Sequence, residues 1–334
     1  MKRTIATLLC LCIILIGGAK AFTERTWEQW LPDDIEMYSP GKIKSESVIF
    51  WSAEDRSNNH FYLHSIELES GTVESYDLLG YLVQSDASEL GVLYAIQYDL
   101  ETTLYRLLPD RSIEEILSIQ NVDGLRTTTG LNCSILAYHK GYLYYSYRYT
   151  DEENMINYKL MRTDQYGNHY TYRLENYVYC ISEDGLLSKV DENEGCILVE
   201  SPIDGSVRVF SFPDLKIVRC LAWYDAETLL FMSNEDGSCH LSKLNVKSGE
   251  YEKVLTQDGK EIKINGSFHQ MIDIDSHNNL LTLMYPSGDE SGYYCFPMVL
   301  DMKTGARYII GYPMVAPDGA DEALPEGHRV IIQR

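Results

Sequence analysis

The sequence predicts an all-β protein: a β-propeller of six four-stranded blades, its ring closed by the C-terminal strand. Three observations predict it. Residues 196–212 read CILVESPIDGSVRVFSF and 228–244 read TLLFMSNEDGSCHLSKL; each is an apolar run, a Ser, two residues, Asp-Gly-Ser and an alternating run. The same onset, an apolar run after a short polar turn, recurs at Val48, Val92, Tyr142, Ile197, Leu229 and Leu280, at intervals of 44, 50, 55, 32 and 51 residues. No helical period runs through the text, and Tyr, which favours strands, occurs 26 times. A lone four-stranded sheet leaves two faces and two edges to cover. Packing such sheets radially buries both faces and leaves only short edges.

From the amino terminus, MKRTIATLLCLCIILIGGAKAF has Lys2 and Arg3, an apolar run from Ile5 to Ile16, and the small-x-small site Ala19-Lys20-Ala21. It reads as a signal peptide over residues 1–21, with Phe22 as the mature start. The run is short of the ~20 residues that span a bilayer. An uncleaved anchor is the alternative, and no later segment is apolar enough to cross. The expected location is therefore secreted, periplasmic or otherwise extracytoplasmic. Residues 22–42 form an N-terminal extension. Within it, TWEQWLPDDIEMYSPG (26–41) is not strand-like, and Trp27, Trp30 and Leu31 suit one helical turn against the disc.

The propeller domain spans 43–334. Each onset follows another apolar run across a turn, such as LVQS (82–85), SILAY (134–138), CLAWY (220–224) or MIDID (271–275). Each precedes an alternating strand with a tight turn, where Gly71, Gly167, Gly249 and Gly305 supply positive φ. The register is uneven between Tyr142 and Leu229. The interval of 32 is short, KIVRCLAWY has to serve two blades, and YVYCISEDGLLSKV (177–190) looks surplus. An extra hairpin, seven irregular blades and a pair of β-sandwiches are the alternatives. The echo is assigned to blades four and five, and HRVIIQR (328–334) is expected to pair with blade one.

Cleavage would take the formal charge from −22 to −25 and the cysteines from eight to six: Cys133, Cys180, Cys196, Cys220, Cys239 and Cys295. A surface so acidic repels nucleic acid and attracts cations and basic proteins. Several of these cysteines sit in apolar runs and read as unpaired core thiols. The text contains no GxSxG elbow, P-loop, CxxC or HExxH. His60 and His64 share a strand face but lack a third ligand. DIDSHNN (273–279) opens like a calcium loop, lacks its later Gly and Glu, and reads as a hairpin turn. Trp51 and Trp223 read as core.

MIDIDSHNNLLTLMY (271–285) resembles the NHL-type repeat, in which an apolar-Asp strand, a polar turn with Asn and an apolar strand recur. With the leader and the irregular blades, the chain resembles the exported TolB-like six-bladed propellers of bacteria. That resemblance implies the fold; its members include scaffolds, binding proteins and enzymes, so it implies no single activity.

One constellation stands out. The connections taken as joining second to third strands are SAEDRSNNH (52–60), YDLETT (98–103), RYTDEENMIN (148–157), SPIDG (201–205), SNEDG (233–237) and YPSGDESG (285–292). They hold 12 acids in 43 residues, nearly twice the chain's share, against Arg56 and Arg148 alone. Asp55, Asp99, Asp151, Asp204, Asp236 and Asp289 are the candidate rim. The expectation is a binding or scaffold module whose acidic loop face engages a cation or a basic partner. No cofactor is evident, and calcium is the candidate ion. The alternatives are a secreted hydrolase or lyase with carboxylates at the channel mouth, and a carbohydrate-binding propeller. Ordinary solvated turns would also look like this, because Asp favours turns.

Overall fold

Six antiparallel sheets follow one another along the chain in a computed structural model. It describes residues 33–333 except 56–59, 78–80, 86–90, 99–100, 121–132, 151–155, 165–168, 175–179, 192–193, 202–203, 236, 265–272, 290–291, 312–313 and 316–329. Among the described residues there is no helix. From the axis outward, blade one is Val330–Gln333, Val48–Asp55, His60–Glu67 and Val73–Asp77. Blade two is Tyr81–Ser85, Val92–Tyr98, Glu101–Leu107 and Ile113–Gln120; blade three is Cys133–His139, Tyr142–Thr150, Ile156–Asp164 and His169–Leu174. Blade four is Cys180–Ile181, Leu187–Asp191, Cys196–Glu200 and Val207–Ser211; blade five is Lys216–Trp223, Thr228–Glu235, Ser238–Asn245 and Tyr251–Lys253. Blade six is Asp273–Asp275, Leu280–Asp289, Gly292–Asp301 and Arg307–Ile309. The first strands of blades one and two, two and three, four and five, five and six, and six and one meet, and those of blades two and three pair in parallel at Gln84–Ala137 and Ser85–Tyr138. The ring is thus a six-bladed propeller. Its C-terminal strand completes blade one, with Val48 opposite Gln333 and Trp51 opposite Val330.

The uneven register resolves in blade four. YVYCISEDGLLSKV is not surplus: Cys180–Ile181 and Leu187–Asp191 are that blade's first two strands, and CILVE is its third. KIVRCLAW serves blade five only. Moving the blade-four onset from Ile197 to Leu187 changes the intervals of 55 and 32 to an ordinary 45 and 42. The hydrogen bonds of the outer turns give the same register. The Gly71, Gly205, Gly249 and Gly305 N–H groups donate to the carbonyls four residues earlier, at 2.7–2.9 Å. In each turn that earlier residue also donates to the carbonyl just past the glycine, at 2.9–3.0 Å. All four glycines have φ between 69° and 78°. SPIDG is therefore a third-to-fourth-strand turn, like its counterparts in blades one, five and six.

The buried apolar residues fall into six clusters, one at each blade–blade interface. Blades four and five meet through Val190, Ile197, Phe231 and Leu244, and blades five and six through Leu230, Leu241, Leu283 and Phe296. Each fully buried Leu or Phe contributes about 1.5–3 kcal/mol relative to an exposed one. At the seam of blades six and one, Trp51 packs with Ile49, Ile66 and Tyr308, and an added Cβ on Gly311 would lie 2.5 Å from its ring. A buried polar tie crosses the same seam. Asp275 accepts from Ser47 Oγ at 2.7 Å, Asn278 Nδ2 at 2.6 Å, and the His277 and Asn278 N–H groups at 3.0 and 3.1 Å.

The extension differs from expectation. Ile35–Met37 is a short parallel strand on the outer edge of blade six, in register with Arg307–Ile309. Ile35 is buried, and Arg307 is ion-paired to Asp34. An edge strand with only one buried residue carries no alternation, so its text looks irregular. Trp27, Trp30 and Leu31 lie outside the described residues.

Candidate functional site

Successive connections of an antiparallel meander leave the sheet at alternate ends. Five of the six candidate aspartates belong to second-to-third connections, which share one end. Asp55 closes its ladder opposite His60, and Asp289 closes its own opposite Gly292. Asp99 lies in the connection between Tyr98 and Glu101, Asp151 in that between Thr150 and Ile156, and Asp236 in that between Glu235 and Ser238. Asp99, Asp151 and Asp236 lie outside the described residues, as do the side chains of Asp55 and Asp289.

Asp204 is on the opposite end, in the outer turn of blade four. Its Oδ1 accepts the Ser206 N–H at 3.0 Å. Hydrogen bonds from Ser206, then from the Ser201 hydroxyl, pull its exposed carboxyl down to about 2. It shapes a turn and does not join the other five. The second-to-third connection of blade four is instead DENEG (191–195), where Asp191 Oδ1 accepts the Glu194 N–H at 3.2 Å. Sequence reasoning missed Asp191, Glu192 and Glu194. The signal that would have found them is spacing, since an onset at Leu187 turns the intervals of 55 and 32 into 45 and 42. Exchanging the two segments raises the acids of this end from 12 to 14 in 43 residues.

The other end differs in kind. Three of its basic side chains stand against acids: Arg111 with Glu74 of blade one at 2.5 Å, Lys140 with Asp184 of blade four, and Lys247 with Glu227 of its own blade. Exposed pairs of this sort add little stability but cancel local charge.

Beside the blade-five connection lies the largest ion-pair cluster among the described residues. Lys253 Nζ bridges Glu235 at 2.7 Å and Glu261 at 3.2 Å, and the other Glu261 oxygen is 2.8 Å from Nδ1 of buried His240. Hydrogen bonding to Glu235 raises the Lys253 pKa, and hydrogen bonding from Lys253 lowers that of Glu261. The cluster is held by a reversal in the outer strand. After Lys253 the chain turns back through 254–261, and Ile264 N–H donates to Cys239 O, so 262–264 take over the edge of Ser238–Asn245.

Among the described residues no three His, Cys, Asp or Glu side chains are placed to hold a metal. His64 is half-buried, stacked on Trp51 at 5.4 Å and bonded to Ser75 Oγ at 2.8 Å; burial lowers its pKa. The side chain of His60 lies outside the described residues. Asp275 of DIDSHNN is turned inward as a turn and seam residue. Trp51 and Trp223 are core, 3% and 9% exposed. No described helix is long and apolar enough to cross a membrane.

No protein-family model matches the chain, and no curated protein matches it. Solved structures of similar architecture include TolB from Acinetobacter baumannii, at TM-score 0.48 and 10% identity over 80% of this chain and 64% of that one. A putative TolB from Agrobacterium tumefaciens is similar at 0.47 and 11%, over 86% of this chain and 98% of that one. An oligogalacturonate lyase from Vibrio parahaemolyticus is similar at 0.43 and 11%, over 83% and 82%.

Proposed function

We propose that this propeller is an extracytoplasmic binding or scaffold module, and that its second-to-third loop end engages a cation or a basic protein segment. The observation that carries the reading is the asymmetry of the two ends. The second-to-third connections of one end hold 14 acids in 43 residues with two arginines, with Lys253 set against Glu235 beside them, whereas Arg111, Lys140 and Lys247 at the other end stand in ion pairs. Like charges gathered over a low-dielectric disc concentrate their field at the mouth and speed the approach of a cation. The leader-like text of residues 1–21 supports the location. The rim on this reading is Asp55, Asp99, Asp151, Asp236 and Asp289, with Asp191 and Glu194 in place of Asp204.

The test compares two variants, one with Asp55, Asp99, Asp151, Asp236 and Asp289 all changed to Asn and one carrying Asp204→Asn alone. The five-fold variant is expected to lose capture on immobilised polylysine at low salt and any rise in melting temperature with millimolar calcium. Asp204→Asn is expected to keep both. Equal behaviour of parent and five-fold variant in both assays would overturn the reading.

A further inference from the structure

Two thiols from different blades lie at the inner part of the interface between blades four and five. Cys180 begins the innermost strand of blade four, and Cys220 lies in the innermost strand of blade five. Cys220 belongs to the apolar cluster of this interface, and Cys180 packs against that cluster. Their strands are tied by the Cys180 carbonyl, which accepts from Ser188 Oγ of its own blade at 3.2 Å and from Trp223 Nε1 of blade five at 3.3 Å. Ser188 is fully buried and stands opposite Cys180 in the ladder of blade four, and the two thiols and the Arg219 guanidinium act on one another electrostatically. The other described cysteines have no such counterpart. Cys196 sits on the third strand of blade four opposite Asp191, and Cys239 on the third strand of blade five opposite Asn234.

We propose that Cys180 and Cys220 are a redox pair whose disulfide staples the innermost strands of blades four and five. Both are free in the structure. The oxidant is a small-molecule or protein disulfide. Cys180, the half-buried one, loses its proton and its sulfur attacks one sulfur of that disulfide, expelling a thiolate and leaving a mixed disulfide. The deprotonated Cys220 sulfur then attacks Cys180 Sγ and expels the second thiolate. Two electrons pass from the cysteine pair to the oxidant, and the two protons released are taken up by the two expelled thiolates. Burial pushes the Cys180 thiol up to about 12 and the Cys220 thiol well above its usual value; Arg219 and Ser188 oppose this only in part. The reaction is therefore slow near neutrality and speeds up about tenfold per pH unit, following the thiolate fraction.

The experiment treats the folded full chain with oxidised glutathione at pH 7.5 and 8.5, alkylates it in denaturant and maps the peptides. A second arm refolds the chain from denaturant in the same oxidant, where burial does not limit access. The expected product is one link between the Cys180 and Cys220 peptides, two hydrogens lighter, formed about ten times faster at the higher pH. It should come with a higher melting temperature and quenched Trp223 fluorescence. Cys220→Ser should instead yield a glutathione adduct at Cys180. Recovery of both residues as free thiols in both arms, or a link through Cys196 or Cys239 instead, would overturn the proposal.

Discussion

Residues 196–211 and 228–243 share their text but not their place. In blade four the second limb, Val207–Ser211, is the outermost strand, with Val207 and Val209 at 50% and 59% exposure. In blade five the second limb, Ser238–Asn245, is a third strand with neighbours on both sides, and Leu241 and Leu244 are fully buried. The turns differ as well. SPIDGS closes through the bond between the Gly205 N–H and the Ser201 carbonyl, whereas NEDGSC is a two-residue hairpin between Glu235 and Ser238. A hairpin motif thus specifies two strands and a reversal. The chain on either side decides which strands of the blade they become.

The comparison can be broken most strongly inside the limbs. Leu241→Ala in blade five is expected to cost about 2–5 kcal/mol in denaturant unfolding, from lost burial plus a cavity. At the seam, Gly311→Ala is expected to cost about 1–3 kcal/mol, because the Trp51 ring is packed and cannot recede. Gly205→Ala and Gly237→Ala should cost about the same, roughly 1–2 kcal/mol each. Both glycines have positive φ, and at neither would an added Cβ meet an atom, so only the backbone term acts. Unequal costs would mean that the two turns differ in more than register. Val209→Ala should change stability by less than about 0.5 kcal/mol.

The smallest effect separates the two Asp-Gly turns by pH. The Asp204 pKa in the folded chain, about 2, lies below the ~3.9 of an unfolded Asp. Its contribution is therefore present above about pH 4 and lost as pH falls toward 2. Asp204→Asn should lower stability above about pH 5 and flatten the acid part of the unfolding curve, so that parent and variant converge as pH falls toward 2.

Much of the fold was legible because blade onsets follow polar turns. Val48, Val92, Tyr142 and Leu280 begin second strands as read, and Thr228 does so one residue before Leu229. Ile197 failed for a physical reason. The true second strand of blade four, LSKVD, buries Ser188 and Lys189, and its first strand is two residues long. A search for apolar runs passes over a strand that buries polar side chains, because the bond that satisfies Ser188, to the Cys180 carbonyl, is visible only in three dimensions. The same slip carried Asp204 into the rim and left Asp191 and Glu194 out. The pairing of Arg111, Lys140 and Lys247 across turns was equally hidden, since each partner lies 20 or more residues away.

The closure of blade one by Val330–Gln333 sets an order of events in time. Until residue 333 is available, Val48–Trp51 present an open row of N–H and C=O groups, and the interfaces on both sides of blade one lack an inner wall. Blades two to six are built from contiguous text and can form hairpin by hairpin, whereas the last ladder joins residues 48 and 333. Contacts so distant in sequence form slowly. The slowest step of refolding should therefore be the capture of this strand. A chain stalled before it would expose a β-edge able to accept the strand of another copy, which makes intermolecular strand exchange the characteristic misfolding route of this ring.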